Sequence, residues 1–271
     1  MVTHWTLDDI DWHAFDAGRV DRDLLLTVKA ASLVEANAPD YVTYLKGVFA
    51  DDPGLIAEIE RWGREEEQHG AALARWAQMA DPTFDFGKAL ADFRASYVLP
   101  IDAVASVRGS RGGELLARCV VETGTSSFYS AIRDASEEPV LKQIAANLAR
   151  DEFNHYKLFY DHFRRYEADV PSKLRRLRIA IGRVGETGDD ELSLAYHCAN
   201  RPHADYEGAA CARAYQVRAM RLYRRRHTDR LVAMIVNACG IRIAPALARA
   251  LTSAVWWGFS ARTRQLAARG A

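Results

Sequence analysis

Apolar residues recur every three or four positions along most of this chain, the spacing that places side chains on one face of an α-helix. Alternating apolar and polar runs, typical of strands, are nearly absent, and Gly and Pro cluster between the periodic segments. The pattern therefore predicts an all-α chain. The predicted helices cover residues 21–50, 53–80, 85–106, 112–135, 138–167, 172–184, 188–202, 204–227 and 229–266.

Four of these helices carry an apolar seam that is interrupted by a glutamate, and in two of them also by a histidine. Residues on such a seam face the interior of a helix bundle. A charged group there needs a partner in the core. The seams are Leu25, Val28, Glu35, Val42, Leu45 and Phe49; Leu55, Ile59, Trp62, Glu66, His69, Leu73 and Trp76; Leu115, Cys119, Glu122, Ser126 and Tyr129; and Leu141, Ala145, Leu148, Glu152, His155, Phe159, His162 and Tyr166.

The pattern Glu…Glu-x-x-His occurs twice with nearly the same spacing. Glu35 precedes Glu66 by 31 residues, and Glu122 precedes Glu152 by 30. About 13 to 15 residues carry a helix from its middle to its end, so a short turn and a return run bring the middle of the next helix alongside. Each repeat is thus predicted to be an antiparallel helix pair. Together the pairs place four carboxylates and two imidazoles at one level of a bundle.

Such a cluster of buried carboxylates requires compensating positive charge, because desolvation and mutual repulsion would otherwise protonate it or unfold the bundle. Two divalent cations supply that charge. Oxygen and nitrogen donors without thiolate suit iron or manganese better than structural zinc. The predicted metal ligands are Glu35, Glu66, His69, Glu122, Glu152 and His155, whereas Glu58, Glu60, Glu65 and Glu67 are interpreted as surface residues.

Composition is that of a soluble globular protein, with 49% apolar and 27% charged residues. A formal net charge of zero argues against a nucleic-acid partner held by a basic field. Four scattered cysteines without a C-x-x-C pair are typical of reduced thiols in a cytoplasmic protein. The acidic N-terminus lacks the pattern of a signal peptide. The most apolar stretch, 231–259, is interrupted by Arg242, Pro245 and Arg249, which favours a helix pair over a membrane span.

Four sequence runs resemble the ligand helices of the ferritin-like di-iron carboxylate superfamily, and most closely those of soluble acyl-carrier-protein desaturases. "REEEQHGAAL" is similar to the E-E-x-x-H-G run of these desaturases, and "VEANAPDY" to their first ligand helix. "VVETGTSSFYSAI" and "LARDEFNHYKLFY" resemble their third and fourth. The resemblance covers about residues 22 to 166. It implies a ferritin-like four-helix bundle with a di-metal centre, to which this chain adds C-terminal helices.

The resemblance also implies how the ligands divide between two iron ions, or a manganese and an iron. Glu35 and His69 would bind one ion, Glu122 and His155 the other, and Glu66 and Glu152 would bridge them.

Two neighbouring residues match the desaturases as well. Thr125 stands where these enzymes have a threonine beside the oxygen-binding face, and Asp151 where an aspartate bonds a ligand histidine. From the residues alone, Thr125 is equally a packed helix hydroxyl and Asp151 a surface charge.

The chain departs from the desaturase pattern in two respects. Its Glu-to-Glu spacings are shorter and approach those of aldehyde-deformylating oxygenases, which lack the threonine and the H-G continuation. Residues beyond the matching region resemble no family. The predicted organisation is an N-terminal lead (1–20), a di-metal four-helix bundle (21–167) and a C-terminal helical extension packed on the bundle (168–271).

The predicted function is that of an O₂-dependent di-iron oxidoreductase that desaturates or hydroxylates a long apolar, fatty-acyl-type substrate. Electrons are expected from an external ferredoxin or reductase, since no flavin or nucleotide motif is found. The alternatives are an aldehyde-deformylating-type oxygenase, a ferroxidase or iron-binding protein without organic substrate, and an inactive scaffold. A substrate enzyme is expected to have an apolar tunnel beside the metals, and a ferroxidase an acid-lined opening.

Two basic clusters are candidates for docking an acidic carrier protein or electron donor. They are "KLRRLRIAIGR" (173–183) and "RLYRRRH" (221–227), and both are equally explained as solvated helix faces. The second cluster lies next to the apolar C-terminal segment, a combination that also suggests contact with a membrane surface. The same apolar segment suggests a homodimer.

Overall fold

Helices make up all the regular structure in the computed structural model, which describes residues 4–170, 172–185 and 190–270. The prediction of an all-α chain is confirmed for these residues. Short 3₁₀ turns at Leu7–Asp9, Trp12–Ala14, Ala17–Arg19 and Glu167–Asp169 accompany the α-helices. The α-helices are α1 (Arg22–Ala36), α2 (Ala38–Val48), α3 (Pro53–Ala80), α4 (Phe86–Ser96), α5 (Arg111–Ala135), α6 (Pro139–Arg165), α7 (Lys173–Gly185), α8 (Asp190–Asn200), α9 (Gly208–Leu222), α10 (Arg225–Ala238) and α11 (Pro245–Gly270).

Side-chain caps fix where the longest helices begin. Asp52 accepts a hydrogen bond from the Leu55 amide and is followed by Pro53, a favoured first helical residue, so α3 begins there. Glu138 caps α6 in the same way through the Leu141 amide at 2.7 Å. These caps set the register in which each helix presents its seam to the core.

The first predicted helix, 21–50, is divided in two at Asn37. Pro39 has no amide proton and its ring excludes the carbonyl four residues earlier, so the helix cannot continue unbroken. The prediction of one helix was therefore wrong, and Glu35 lies in the last turn of α1 rather than in mid-helix.

Three other predicted boundaries also differ from the structure. Helix α4 ends at Ser96, well before the predicted 106, with Pro100 shortly beyond. The 229–266 segment forms two helices, separated by Gly240, whose φ of 67° is in the left-handed region, and by Pro245. Predicted helix 204–227 is shorter, at Gly208–Leu222.

Two large apolar clusters and a small third one occupy the core, and each seam passes from one large cluster to the other. In α3, Leu55 and Ile59 belong to one cluster and Leu73 and Trp76 to the other. The order is the same in α5 and reversed in α1–α2 and α6. Hence α3 and α5 run parallel to each other and antiparallel to α1 and α6. Of the seam residues, only Leu25, Val42, His162 and Tyr166 are partly exposed.

Close packing joins α1 to α3, α5 to α6 and α3 to α6, so these four helices form the centre of the bundle. The later helices pack on its outside: α8 and α9 on α1, α7 and α10 on α5, and α11 on α9 and α10. Within the described residues, no helix has the length and hydropathy needed to cross a bilayer.

Candidate metal centre

A layer of six buried acidic and imidazole side chains separates the two large apolar clusters. Every member is at most 8% exposed. The three-residue spacing of each Glu-x-x-His puts its two side chains on one helix face, and the seam turns that face inward. The layer comprises Glu35 from α1, Glu66 and His69 from α3, Glu122 from α5, and Glu152 and His155 from α6.

These six side chains divide into two groups of four that share two members. In each group, one ligand atom per residue lies within 4.8 Å of all the others, close enough to surround one metal ion. Both groups contain Glu66 and Glu152. The first group is completed by Glu35 and His69, and the second by Glu122 and His155. The buried groups could therefore hold a metal ion, and both groups draw on Glu66 and Glu152.

The Nδ1 atoms of both histidines point into this layer. His69 Nδ1 lies 3.4 Å from a Glu66 oxygen and 3.3 Å from a Glu152 oxygen. His155 Nδ1 lies 3.0 Å from Glu66 and 3.7 Å from Glu122. The imidazole ring centroids are 5.7 Å apart. The donor atoms of both repeats thus converge on one small volume.

The opposite ring nitrogens of the two histidines contact carboxylates on the neighbouring helix. His69 Nε2 lies 3.3 Å from Asp151 on α6, and His155 Nε2 lies 2.8 Å from Glu65 on α3. Each carboxylate directly precedes a shared glutamate in the sequence. Because a carboxylate accepts, each Nε2–H donates to it, and Nδ1 is the nitrogen left to face a metal ion.

The interpretation of Glu65 as a surface residue was wrong, because its side chain turns toward His155 and is 21% exposed. Asp151 is buried as well. Of the other acidic residues in this stretch of α3, Glu67 is exposed, and Glu58 and Glu60 are partly exposed and paired with Arg61 and Lys46.

Unsatisfied polar atoms in the layer fit the presence of cations. Five buried atoms in it have no hydrogen-bond partner among the described residues. Each such atom costs about 1–3 kcal/mol if nothing binds it. The five are His69 Nδ1, His155 Nδ1, both carboxylate oxygens of Glu122 and Glu152 Oε1. All are atoms that a metal would engage, and the donor set is oxygen and nitrogen only.

The pKa values of the glutamates are shifted in opposite directions by burial and by their neighbours. Burial, followed by the charge of nearby glutamates, raises the pKa of Glu35 well above its ordinary value. Burial also raises the pKa of Glu122. Burial acts the same way on Glu66, but its contacts with Glu35 and with the two histidines outweigh burial, so the pKa of Glu66 is lowered. A raised pKa favours the protonated form of Glu35 and Glu122, which reduces the negative charge of the layer. Metal binding is expected to release these protons.

Two hydroxyl groups bond carboxylates of the layer. The Tyr129 hydroxyl donates a hydrogen bond to Glu35 Oε1. Burial and the charges of Glu35 and Glu152 raise the pKa of the Tyr129 phenol well above 10.0, so it stays protonated and remains a donor. Thr125 donates to Glu152 Oε2 at 2.6 Å. The structure therefore places the Thr125 hydroxyl on a shared glutamate.

The N-terminal segment closes the outer side of the His69 repeat, which the sequence did not predict. Trp5 donates its indole proton to Asp151 and stacks on the His69 ring, with centroids 6.2 Å apart and planes 5° apart. His4 Nε2 lies 3.1 Å from the same carboxylate. No spacing or motif links residues 4 and 5 to a site about 65 and 146 positions later, so the sequence held no signal for this contact.

Gly70 allows α1 and α3 to approach closely beside the layer. A Cβ at this position would lie 2.7 Å from the Ala36 backbone nitrogen, closer than atoms can pack. The H-G run noted in the sequence therefore has a packing role: it brings Glu35 level with Glu66 and His69.

Two surface pockets among the described residues lie away from this layer. One is lined by α7 and Arg108, and the other by the end of α5 and the start of α6. Neither is lined by any of the six residues.

Comparison with known protein-family models and with curated protein sequences finds no match to this chain.

Proposed function

We propose that this chain is an O₂-dependent di-iron oxidoreductase of the ferritin-like superfamily. The observation that carries the proposal is the pair of overlapping four-residue groups that share Glu66 and Glu152. Two equivalent groups with common bridging carboxylates suit two ions of the same kind.

The helix directions support the ferritin-like fold. In that fold a single long connection links two antiparallel helix pairs. Here α1 and α3 form one pair and α5 and α6 the other, and residues 81–110 link α3 to α5, which runs parallel to it. This topology follows from the order of apolar residues along each helix.

Iron is the metal that the donor set and the proposed chemistry together favour, and a mixed manganese–iron pair uses the same donors. When bound, such a pair supplies the activation of O₂ for attack on C–H bonds. The chain supplies orientation and protons. Asp151 and Glu65 hold the two imidazoles in position, and the hydroxyls of Thr125 and Tyr129 hold protons at Glu152 Oε2 and Glu35 Oε1.

Electrons from an external donor have a direct route through the N-terminal segment. The Trp5 indole, the Asp151 carboxylate and the His69 imidazole form a continuous hydrogen-bonded chain. Beside Trp5, the His4 side chain is 36% exposed, so the outer end of this chain lies near solvent. We place electron entry at His4 and Trp5.

The substrate class rests on the desaturase resemblance and on the apolar surroundings of the layer. The buried side chains of Tyr129, Tyr215 and Cys119 lie near glutamates of the layer. Such surroundings suit a long hydrocarbon chain and exclude water from the reaction.

The test is a single-turnover reaction. The protein is loaded anaerobically with Fe(II), reduced, mixed with O₂ and a series of acyl chains, free or esterified, and the products are identified by mass spectrometry. Desaturated or hydroxylated chain formed in proportion to the iron pairs supports the proposal. Oxidation of Fe(II) with no altered chain, at a rate independent of added acyl compound, identifies a ferroxidase instead. When a fatty aldehyde and excess reductant replace the acyl chain, formation of formate and a hydrocarbon one carbon shorter identifies a deformylating oxygenase instead.

A further inference from the structure

Helix α7 is a basic amphipathic helix whose apolar outer face is in solvent. Leu174 and Ile181, seven residues apart and thus on one face, are 66% and 63% exposed. On the inner side, Ala180 is buried, and the buried Arg176 bonds Glu167 at 2.6 Å and the Val170 carbonyl. The helix is therefore fixed to the body of the protein while its outer apolar side chains have no cover.

A pocket of about 460 Å³ opens between α7 and the segment before α5. Three of its lining side chains are guanidinium groups and one is a hydroxyl, and none of the described residues that line it is acidic. The amino end of α7, which carries partial positive charge, lies at Ser172 in the same pocket. The lining residues are Arg108, Ser172, Leu174, Arg175, Arg178, Ile179 and Gly182.

Arg175 and Arg178 have no carboxylate partner among the residues that the structure describes. The other basic cluster, 221–227, differs in this respect. Arg226 and His227 both bond Asp134 at 2.7 Å, and Arg225 lies 3.5 Å from Asp229. The 221–227 cluster is thus paired within the chain, whereas Arg175 and Arg178 have no such partner among the described residues.

Exposed aliphatic side chains surround this charge. Val107 adjoins Arg108 and is 61% exposed, and Val104, three residues earlier, is 83% exposed. Arginine among exposed aliphatic residues, on a helix lying flat on the protein, is the arrangement by which interfacial helices bind lipid. A soluble acidic protein would complement the charge of the arginines. It would not offer the exposed aliphatic side chains an apolar environment such as the acyl chains of a lipid bilayer.

We propose that α7 and the adjoining pocket bind an anionic phospholipid surface. Arg175, Arg178 and Ser172 would receive a headgroup phosphate, and Leu174, Ile181 and Val107 would enter the acyl boundary. This site lies apart from the metal layer, and the proposal stands whether or not the chain is an oxidoreductase.

Co-sedimentation of the full chain with vesicles tests the proposal. The vesicles are phosphatidylcholine alone, or phosphatidylcholine with about 30% phosphatidylglycerol, a content that gives the negative surface of a biological leaflet. We expect binding to the anionic vesicles only, weakened by added salt because the charges are exposed. Arg175→Gln/Arg178→Gln should weaken it roughly tenfold or more. Arg22→Gln/Arg213→Gln, which removes the same charge from exposed positions elsewhere, should leave it unchanged.

A second variant and a second probe separate lipid from other anions. Leu174→Ser/Ile181→Ser keeps the arginines, so it should lose vesicle binding but retain any affinity for inorganic phosphate measured by calorimetry. Equal binding of the parent to neutral vesicles, or equal loss in both arginine variants, overturns the proposal. So does binding of inorganic phosphate or of an acidic carrier protein at this pocket without binding to vesicles. Circular dichroism of each variant confirms that it is folded.

Discussion

His155 donates a hydrogen bond from Nε2 to Glu65 at 2.8 Å, across the interface between α6 and α3. The contact is repeated in the opposite direction by His69 on α3 and Asp151 on α6. Each helix thus provides one inward imidazole and one carboxylate that orients the imidazole of the other helix. The orientation of both Nδ1 atoms toward the layer follows from this exchange.

Replacing the orienting carboxylate should weaken metal binding without removing a ligand. For Glu65→Gln we expect about 10–100-fold lower affinity for one of the two ions, because a neutral amide is a weaker acceptor for the His155 Nε2 proton than a carboxylate and no longer increases the basicity of the ring. Competition with a coloured chelator measures the affinity. Glu67→Gln, two residues along and exposed, is the matched control. Identical affinities in the two variants would show that Glu65 does not act on the site.

The close approach at Gly70 predicts a packing cost. Gly70→Ala puts a methyl group against the Ala36 backbone and should reduce the free energy of unfolding by about 1–3 kcal/mol, the usual effect of overpacking. Gly124→Ala on α5 meets nothing within 4 Å and should be neutral or stabilising by up to about 1 kcal/mol, because alanine favours helix. Urea unfolding of the metal-free forms gives both values. A Gly70→Ala protein as stable as the parent would mean that α1 and α3 lie further apart than described.

Trp5→Phe is expected to slow electron transfer while leaving metal content unchanged. Phenylalanine keeps an aromatic ring against His69 but removes the indole proton that bonds Asp151. Stopped-flow reduction of the iron-loaded protein by a small donor should be several-fold slower. Trp12→Phe removes an indole that bonds only the Leu7 carbonyl and serves as the control. Equal rates for both variants would contradict electron entry at Trp5.

The pair of Lys29 and Asp81 predicts a defined acid sensitivity. Hydrogen bonds from Lys29 and then Thr83 lower the pKa of Asp81 to about 2 from its ordinary value of 3.8. A carboxyl with a depressed pKa stabilises the fold fully above its unfolded value, and this contribution is lost as pH falls from 3.8 to about 2. Asp81→Asn should therefore cost about 1 kcal/mol near neutral pH, a value reduced by the partial exposure of Asp81, and almost nothing near pH 2.

Unfolding of the parent and Asp81→Asn at a series of pH values checks this window. Asp92→Asn, which breaks an exposed pair with Lys88, is the control and should show a small difference throughout. A constant difference between Asp81→Asn and the parent at every pH would show that Asp81 does not act through its charge.

The sequence predicted the parts of the site that depend on helical periodicity. Glu66 and His69 share a face with Ile59 and Leu73, so their burial follows from spacing alone, and the doubled repeat brings the second set to the same level. Glu65 lies beside that face and points toward α6. At such a position, helical periodicity does not distinguish a solvated carboxylate from one that accepts a hydrogen bond from a neighbouring helix. The division at Asn37 depends on the local effect of Pro39, and the contact of Trp5 depends on tertiary folding of an irregular segment.

The most direct test of a two-metal centre is metal content per chain, measured after anaerobic loading with Fe(II) and removal of free ions. About two iron ions per chain are expected, and fewer than one in Glu66→Ala/Glu152→Ala, since each group loses two of its four ligands. Glu58→Gln/Glu67→Gln, which changes two acidic residues of α3 outside the layer, should still bind two. A parent protein that takes up no iron, and is as stable as the variant lacking both shared glutamates, would contradict the two-metal centre.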